Sequence, residues 1–295
     1  MARVSPDTVA PPTSETGPSM LRAGRFRLKL DRPLVMGILN VTPDSFSDGG
    51  RYVDSAAAID HARRLIEAGA DILDIGGEST RPGSEPVPVD EELARVLPVI
   101  EALADGPIPL SVDTSKPAVM RVAAAAGAAL INDVFALRQP GALEAAAATD
   151  LAVCLMHMQG EPKTMQLAPR YENVVREVHD FLAGRIAVCI AAGIASDRIV
   201  LDPGFGFGKK TIHNLQLLRG LARIGVGERP ILVGLSRKSV LGTIIDRPPD
   251  ERTSASVAAA LAAVVRGAAI VRVHDVAATC DALAVWRAIE EGEQG

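Results

Sequence analysis

The sequence predicts an α/β protein built as one closed barrel of eight parallel strands, the (β/α)8 or TIM barrel. Three observations predict it: eight short apolar runs recur along the chain, Ala-rich segments of helical length separate them, and no linker interrupts the series. The 295 residues would suit two average domains, but one barrel of about 250 residues takes up the same length. A doubly wound sheet usually has fewer strands and a second domain, so the barrel is favoured.

Residues 1–24 are predicted to be a disordered, flexible tail, and residues 25–295 a single domain. The tail carries four prolines among Ser and Thr and has no continuous apolar core of the kind found in signal peptides. Residues 26–30 then alternate apolar and polar side chains, which predicts a short, half-exposed strand ahead of the barrel.

The barrel elements follow from the apolar pattern. Strands are predicted over residues 34–40, 71–77, 109–113, 129–133, 151–156, 198–202, 231–235 and 269–273, because runs this apolar are typical of parallel strands buried on both faces. Helices are predicted over residues 54–68, 90–103, 117–126, 171–192, 214–222, 253–265 and 276–290. Gly69, Gly127 and Gly193 follow three of these helices, where glycine tolerates the left-handed backbone that closes a helix.

Composition argues against two classes of function. A net charge of −5, with one Trp, two Tyr and six Phe, leaves no basic surface with stacking aromatics, so no nucleic-acid partner is expected. The longest uncharged apolar stretches are about half the roughly 20 residues needed to cross a bilayer, so no membrane span is expected. Cys154, Cys189 and Cys280 lie far apart without metal or redox spacing, which predicts buried thiols in a reducing, cytoplasmic compartment.

Polar residues end nearly every predicted strand. In a (β/α)8 barrel the active site lies at the carboxyl ends of the strands, so these residues should meet there. They are Asn40, Glu78 to Arg81, Asp113, Asn132 with Asp133, His157, Asp202, Ser236 to Ser239, and Arg272 with His274. The need for solubility alone would place polar residues at the ends of two or three strands, whereas here they follow eight, which favours a functional site.

One set of these residues suits phosphate. The guanidinium groups of Arg81 and Arg272 match anionic oxygens in pairs, and His274 can add a donor. Asn40 offers an amide oxygen, which Mg²⁺ accepts when phosphate oxygens and water complete its shell. This set predicts a di- or polyphosphate bound with Mg²⁺.

A second set, Asp113, Asn132, Asp202 and Lys238, suits a planar heterocycle with an amidine-like edge and a carbonyl. Carboxylates accept paired N–H bonds, and amide or ammonium groups meet ring nitrogen and oxygen atoms. Met156 is expected to pack against such a ligand, while the role of His157 stays open.

Several polar residues have structural interpretations. Asp133 is expected to cap or brace a turn more often than to catalyse. Asp74, inside a strand, could be an interior carboxylate held by hydrogen bonds. His61, His179 and His213 fall in predicted helices, where packing or solvent contact is expected.

Two loops complete the predicted site. The segment D-P-G-F-G-F-G-K at 202–209 fits neither G-x-G-x-x-G nor the Walker pattern, so its glycines are expected to bend a loop over a flat ligand and to aim Phe207 at it. Ser239 could open a short helix whose N–H groups receive a carboxylate, with a plain helix cap as the alternative.

Two long segments, N-V-T-P-D-S-F-S-D-G-G at 40–50 and D-I-G-G-E-S-T-R-P-G at 74–83, closely resemble the signature segments of the dihydropteroate synthase family. The resemblance to this family runs in order from about residue 26 to residue 289. The other motifs that carry it are S-V-D-T at 111–114, I-N-D at 131–133, M-H-M-Q-G at 156–160, the Gly-rich segment, S-R-K-S at 236–239 and R-V-H-D at 272–275.

The resemblance implies a transferase with a pterin-binding (β/α)8 barrel. Such an enzyme joins 4-aminobenzoate to (7,8-dihydropterin-6-yl)methyl diphosphate in folate biosynthesis, forming 7,8-dihydropteroate and releasing diphosphate. It also implies a homodimer, small-molecule substrates, and a mobile loop formed by residues 42–50 that closes the site.

The resemblance further implies roles for individual residues. The pterin would contact Asp113, Asn132, Met156, Asp202 and Lys238. The diphosphate would contact Thr80, Arg81, Arg272 and His274, with Mg²⁺ on Asn40. The 4-aminobenzoate would contact Pro82, Phe207, Lys238 and Ser239, and the catalytic residues would be Asp113, Lys238 and Arg272.

Two alternatives remain at this point. A binding barrel without turnover, or one that presents a folate to a methyl-transfer partner, would need the ring-binding set but not the phosphate-binding set. An aldolase-like barrel would need a Schiff-base lysine in an apolar pocket, whereas Lys238 lies beside Arg237 and Ser239.

Overall fold

Eight parallel strands form one sheet whose strand order follows the chain. The computed structural model describes residues 20–42, 50–79, 85–161 and 163–292, and for residues 50–54 it describes the backbone alone. The barrel strands are β3 (Leu34–Asn40), β4 (Ile72–Gly76), β5 (Leu110–Asp113), β6 (Leu130–Asp133), β7 (Ala152–Met156), β8 (Ile199–Asp202), β9 (Leu232–Val233) and β10 (Ile270–Val273).

The sheet closes on itself. Its order is β8-β7-β6-β5-β4-β3-β10-β9, and a parallel bridge between Leu201 and Ile231 joins the two ends. The Leu201 N–H donates to the Pro230 carbonyl at 2.9 Å across the same seam. The predicted (β/α)8 barrel is therefore confirmed.

Helices follow the strands and cover the barrel. They are α1 (Gly50–Glu67), α2 (Val89–Leu103), α3 (Pro117–Ala125), α4 (Ala142–Ala147), α5 (Val174–Ala191), α6 (Thr211–Arg219), α7 (Ser239–Ile245), α8 (Thr253–Val264) and α9 (Val276–Glu291). Helix α5 begins later than predicted because the side chain of Asn173 caps it, accepting from the Arg176 N–H at 3.1 Å. Among the described residues, no helix is both long and apolar enough to cross a membrane.

An antiparallel hairpin, β1 (Met20–Ala23) with β2 (Phe26–Lys29), precedes the barrel. Leu21 and Ala23 are fully buried against residues at the starts of the barrel strands, among them Leu34 and Ile72. The predicted strand over residues 26–30 is confirmed, but the prediction that the tail extends to residue 24 is wrong. Residues 20–23 are ordered because their alternate side chains seal the amino end of the barrel; residues 1–19 lie outside the described part.

The alternation of side chains along a strand explains why polar groups gather at one end of the interior. Apolar residues of the barrel interior include Ile72, Leu130, Cys154, Val200 and Ile270. Side chains two positions further along a strand face the same side. These are Asp74, Asn132, Met156, Asp202 and Arg272.

The opposite faces of the strands pack under the helices. Ile75, Val112, Ile131 and Leu201 are fully buried in this layer. Burying one such side chain stabilises the fold by about 1.5–3 kcal/mol. The frame that holds the interior polar groups is thus a densely packed one.

Candidate active site

Arg272 lies between two carboxylates at the centre of the barrel. Its Nε donates to Asp74 Oδ2 at 2.5 Å and its Nη2 to Asp113 Oδ2 at 2.9 Å. Burial lowers the pKa of Arg272, but the two carboxylates raise it by more, so the net shift is upward and the group stays a cation. The three side chains form the floor of the candidate site.

Asp74 is fully buried and has further partners. Ser111 Oγ donates to its Oδ1 at 2.5 Å, and Asn132 Nδ2 donates to its Oδ2 at 2.9 Å. The expectation of an interior carboxylate held by hydrogen bonds is confirmed. Desolvation raises the pKa of Asp113, the nearby Asp74 carboxylate adds to the rise, and Arg272 opposes it.

Asp202 and Lys238 lie near this floor, and each influences the charge of the other. Asp202 Oδ1 accepts the Gly204 N–H at 2.7 Å, and burial raises the pKa of the carboxyl against the opposing influence of Lys238. Burial also lowers the pKa of Lys238 to about 8, with Asp202 opposing the fall. The Lys238 ammonium donates to the Phe205 carbonyl and lies 4.6 Å from the centroid of the Phe207 ring.

The loop after β8 needs its glycines. Gly204, Gly206 and Gly208 have φ values of +69°, +82° and +62°. A Cβ on Gly204 would lie 1.8 Å from the His157 carbonyl oxygen, and one on Gly208 would lie 2.3 Å from the Gln159 carbonyl oxygen. The loop can therefore fold directly against the backbone that follows β7.

The bend brings Phe207 into a small apolar cluster at the carboxyl end of the barrel. Met156, Met158 and Val134 belong to the same cluster. Its location beside Lys238 gives the polar floor an apolar, aromatic side. The expected bend of the Gly-rich loop is thus confirmed.

Lys209 fastens this loop, a role that sequence reasoning missed. Its buried ammonium donates to the carbonyls of Gly204 (2.9 Å), Phe207 (3.0 Å) and His157 (3.2 Å), and it lies 2.9 Å from His157 Nδ1. Burial, then Lys209, lowers the pKa of His157 to about 3, so its Nδ1 accepts. His157 is therefore a structural residue. A lysine inside an apolar, Gly-rich segment was the available signal.

Asn40, Gly76 and Asp113 lie side by side on three adjacent strands. A Cβ on Gly76 would lie 3.9 Å from Asn40 Oδ1 and 3.8 Å from Asp113 Oδ2, so glycine leaves the space between the two oxygens open. Strand β10 pairs with β3 on the other side. It ends before His274, whose Nδ1 lies 3.0 Å from Ser236 Oγ.

Ser239 is the first residue of α7, as predicted, and it is exposed. The turn before it contains Arg237 in a left-handed conformation (φ 58°). Arg237 is held by Asp275 through contacts of 2.5 and 3.1 Å, and the Arg252 guanidinium donates to its carbonyl at 2.9 Å. Lys238 and Ser239 are thus carried by a braced turn.

Comparison with known proteins adds to this geometry. Residues 36–274 match the model of the pterin binding enzyme family. The chain is 55% identical over 262 residues to the dihydropteroate synthase of Escherichia coli (strain K12), covering 88% of this chain and 93% of that protein.

The chain belongs to the dihydropteroate synthase family. A crystal structure of the Burkholderia cenocepacia enzyme complexed with 7,8-dihydropteroate has a TM-score of 0.86 and 55% identity, covering 93% of this chain and 97% of that one. A structure of the Xanthomonas albilineans enzyme with 4-aminobenzoic acid has a TM-score of 0.87 and 56% identity, covering 93% and 99%.

The structure brings together most of the side chains that the family resemblance implies. Asp113, Asn132, Met156, Asp202, Lys238 and Arg272 share the carboxyl end of the barrel interior, and Asn40, His274, Phe207 and Ser239 surround it. Thr80, Arg81 and Pro82 lie outside the described residues, as does most of the loop formed by residues 42–50.

The structure also defines the surroundings of Asp133 and of the three cysteines. Asp133 is structural, as expected, because it accepts the N–H groups of Phe135 and Leu137 at 2.8 Å each, beside the left-handed Ala136 and Leu137. The three cysteines are free thiols, with Cys154 and Cys189 buried. The prediction of burial is wrong for Cys280, which is half-buried beside the Gly69 carbonyl.

Sequence reasoning also missed a cavity of about 550 Å³ beside Asp113, lined by Lys116, Phe135 and Gln139 among others. Lys116 forms ion pairs there with Glu78 and with Glu92 of α2, whose side chain is 0% exposed. A lysine two residues after a strand-end Asp-Thr pair was the signal, but its acidic partners lie on other elements.

Proposed function

We propose that this protein catalyses the dihydropteroate synthase reaction, joining 4-aminobenzoate to (7,8-dihydropterin-6-yl)methyl diphosphate. The observation that carries the proposal is the convergence of Asp113, Asn132, Asp202, Lys238 and Arg272 at one end of the barrel interior. The family's E. coli member, at 55% identity, supports the same reaction.

The floor suits the pterin ring. Carboxylates of Asp113 and Asp202 accept N–H bonds from its amino-pyrimidine part, while Lys238 donates to ring nitrogen or carbonyl atoms. Met156, 3% exposed, supplies an apolar surface beside them. We assign these residues and Asn132 to pterin binding, in keeping with the dihydropteroate complex of the B. cenocepacia enzyme.

The reaction breaks the C–O bond between the pterin methylene and diphosphate, so positive charge develops on the pterin and negative charge on the leaving group. The bonding electron pair leaves with diphosphate, and the amine of 4-aminobenzoate forms the new C–N bond and releases a proton to solvent. Asp113 stabilises the developing cation, and Arg272 with His274 stabilises the departing diphosphate. One such charge pair at about 4 Å is worth roughly 4 kcal/mol at an effective dielectric constant near 20, before desolvation.

Thr80 and Arg81 belong to the same diphosphate assignment on the family resemblance alone. The proposed catalytic residues are Asp113, Lys238 and Arg272. Each would touch the pterin or the leaving group, and none forms a covalent intermediate.

We assign Mg²⁺ to Asn40. In the described part of the chain, no three His, Cys, Asp or Glu side chains lie together so as to hold a metal ion. Asn40 Oδ1 nevertheless borders the open space above Gly76, and a single protein oxygen suits an ion that keeps several waters and binds substrate phosphate. Bound there, Mg²⁺ would neutralise charge on the diphosphate.

The 4-aminobenzoate is assigned to the outer part of the site. Phe207 offers a ring face, Lys238 lies beneath it, and Ser239 stands exposed at the start of α7. Pro82 is included from the family resemblance. The X. albilineans enzyme with 4-aminobenzoic acid supports binding of this substrate by the family.

A homodimer and a cytoplasmic location belong to the same proposal. The dimer is supported by exposed apolar side chains on α7 and α9, including Ile244, Val285 and Ile289, which are 56%, 61% and 72% exposed. The cytoplasmic location rests on the sequence reasoning about the cysteines.

Product analysis tests the proposal. The purified chain is incubated with both substrates and Mg²⁺, and 7,8-dihydropteroate is measured by chromatography. We expect turnover, and we expect Arg272→Met to lose about 10²–10³-fold in kcat/KM. Lys29→Met, an exposed change in the hairpin, serves as control. A wild-type chain that binds the pterin but forms no product would show the alternative, a binding barrel without turnover.

A further inference from the structure

Asp74 is a fully buried carboxylate for which the proposed reaction has no direct use. It lies in the middle of β4, two residues before the carboxyl end of that strand. It receives hydrogen bonds from three side chains. The donors are Ser111 Oγ, Asn132 Nδ2 and Arg272 Nε. Two of these donors belong to residues that we assign to substrate binding.

The contact with Asn132 has a directional consequence. An ionised carboxylate only accepts hydrogen bonds, so the Asn132 amide must turn its NH2 group toward Asp74, 2.9 Å away. A flipped amide would place its carbonyl oxygen against the carboxylate, in a site where Asn132 itself is 5% exposed. This orientation keeps the oxygen of Asn132 on the side away from Asp74, where it can accept from a ligand.

The contact with Arg272 acts in the same direction. Nε is held by Asp74 and Nη2 by Asp113, so the guanidinium plane is fixed by two carboxylates. The ring-binding end then offers three acceptors, on Asp113, Asn132 and Asp202. Its donors are Lys238, the second N–H of Asn132 and the remaining N–H groups of Arg272.

We infer that Asp74 is a positioning residue that makes the floor selective for a ring edge that donates N–H bonds. It does so by holding Asn132 with the amide oxygen toward the ligand. The inference rests on the proposed function, because a pterin carries such an edge in its 2-amino group and neighbouring ring N–H.

Calorimetry with two probes tests this selectivity. The probes are 6-hydroxymethylpterin and its 2-deamino counterpart, in which a hydrogen atom replaces the 2-amino group. Asp74→Leu keeps the branched shape but removes the acceptor, which frees the Asn132 amide to turn. We expect it to reduce the wild-type preference for the pterin by about tenfold or more.

Asp74→Asn is the conservative variant. Its amide oxygen can still accept from Asn132 and Arg272 while its NH2 group donates to Ser111 Oγ. We expect it to keep a preference close to that of the wild type. A merely structural role would weaken both probes together and leave their ratio unchanged in both variants.

Asp133→Asn is the matched control, since Asp133 is also a fully buried carboxylate but accepts from the backbone N–H groups of Phe135 and Leu137 in its own loop. Its ratio should equal that of the wild type. An unchanged ratio in Asp74→Leu, or an equal loss in Asp74→Asn, would overturn the inference. Wild-type chain that fails to bind the pterin at all would instead count against the proposed function.

If Asp74→Leu does not fold, the wild-type chain answers the question. The side-chain amide protons of Asn132, followed by ¹⁵N NMR, should exchange slowly with solvent both before and after the pterin is added. Fast exchange of both protons in the free protein would contradict the assigned orientation.

Discussion

The ammonium of Lys209 lies 2.9 Å from Nδ1 of His157, with both side chains buried between β7 and the loop that follows β8. The pair joins two adjacent strand ends of the barrel. Because the same ammonium donates to the Gly204 and Phe207 carbonyls, it holds both the bend of the loop and its aromatic residue. Its removal should therefore affect stability and the site together.

Lys209→Met should lower the free energy of unfolding by about 2–4 kcal/mol, since buried carbonyl groups lose their donor. Urea denaturation measures the loss. Hydrogen exchange should become faster at the amides of residues 204–208. Lys29→Met, at an exposed position of the hairpin, should change neither measurement. Equal stability of the two variants would contradict the role given to Lys209.

The protonation of Lys238 should set an alkaline limit to pterin binding. Burial lowers its pKa to about 8, so the ammonium is the main form below that pH and is lost above it. We expect pterin affinity, measured by calorimetry, to fall as pH rises through about 8.

Lys238→Arg supplies the control, because arginine keeps its charge across this range. The pterin's own ring N–H ionises in the same region, so the difference between the two profiles reports the contribution of the protein. The variant should bind more weakly at neutral pH but lose the part of the alkaline fall that belongs to Lys238. Parallel profiles would argue against this role of the ammonium.

Asn40→Ala should raise the Mg²⁺ concentration that gives half-maximal velocity by about tenfold or more, because the proposed protein oxygen ligand is removed. Steady-state rates over a Mg²⁺ titration measure this. Asn173→Ala, which removes the cap of α5, should cost about 1 kcal/mol of stability without altering the Mg²⁺ dependence. An unaltered titration for Asn40→Ala would place the ion elsewhere.

Lys116→Met should lower the free energy of unfolding by about 3–5 kcal/mol, because Glu92 would remain buried without its cation. Lys163→Met is the matched control, since its partner Glu85 is 83% exposed, and it should cost less than about 1 kcal/mol. Chemical denaturation of both variants compares them. Similar losses would show that burial of Glu92 does not decide the effect.

The barrel strands could be predicted from the sequence because each is a nearly continuous apolar run, as is typical of parallel strands buried on both faces, and is followed by a polar residue. The same rule located Asn40, Asp113, Asn132, Asp202 and Arg272, since period-two alternation turns them into the interior. It did not locate α4, a helix of only six residues within an Ala-rich stretch, or β1, whose four residues alternate too briefly to stand out.

The contacts among these residues could not be predicted. Arg272 meets Asp113 and Asp74 across separations of 159 and 198 residues, and no local pattern records such pairs. The roles of Lys209 and Lys116 likewise depend on partners that only the closed barrel brings near. The sequence therefore predicts which residues belong to the site, but it does not predict which partner each of them contacts.

The hairpin of β1 and β2 closes the amino end of the barrel. In the part of the chain that the structure describes, a ligand therefore reaches Asp202 and Asn132 from the carboxyl end of the barrel, on the side where Phe207 lies. A ligand on the floor of the barrel must therefore bind before a ligand that covers it.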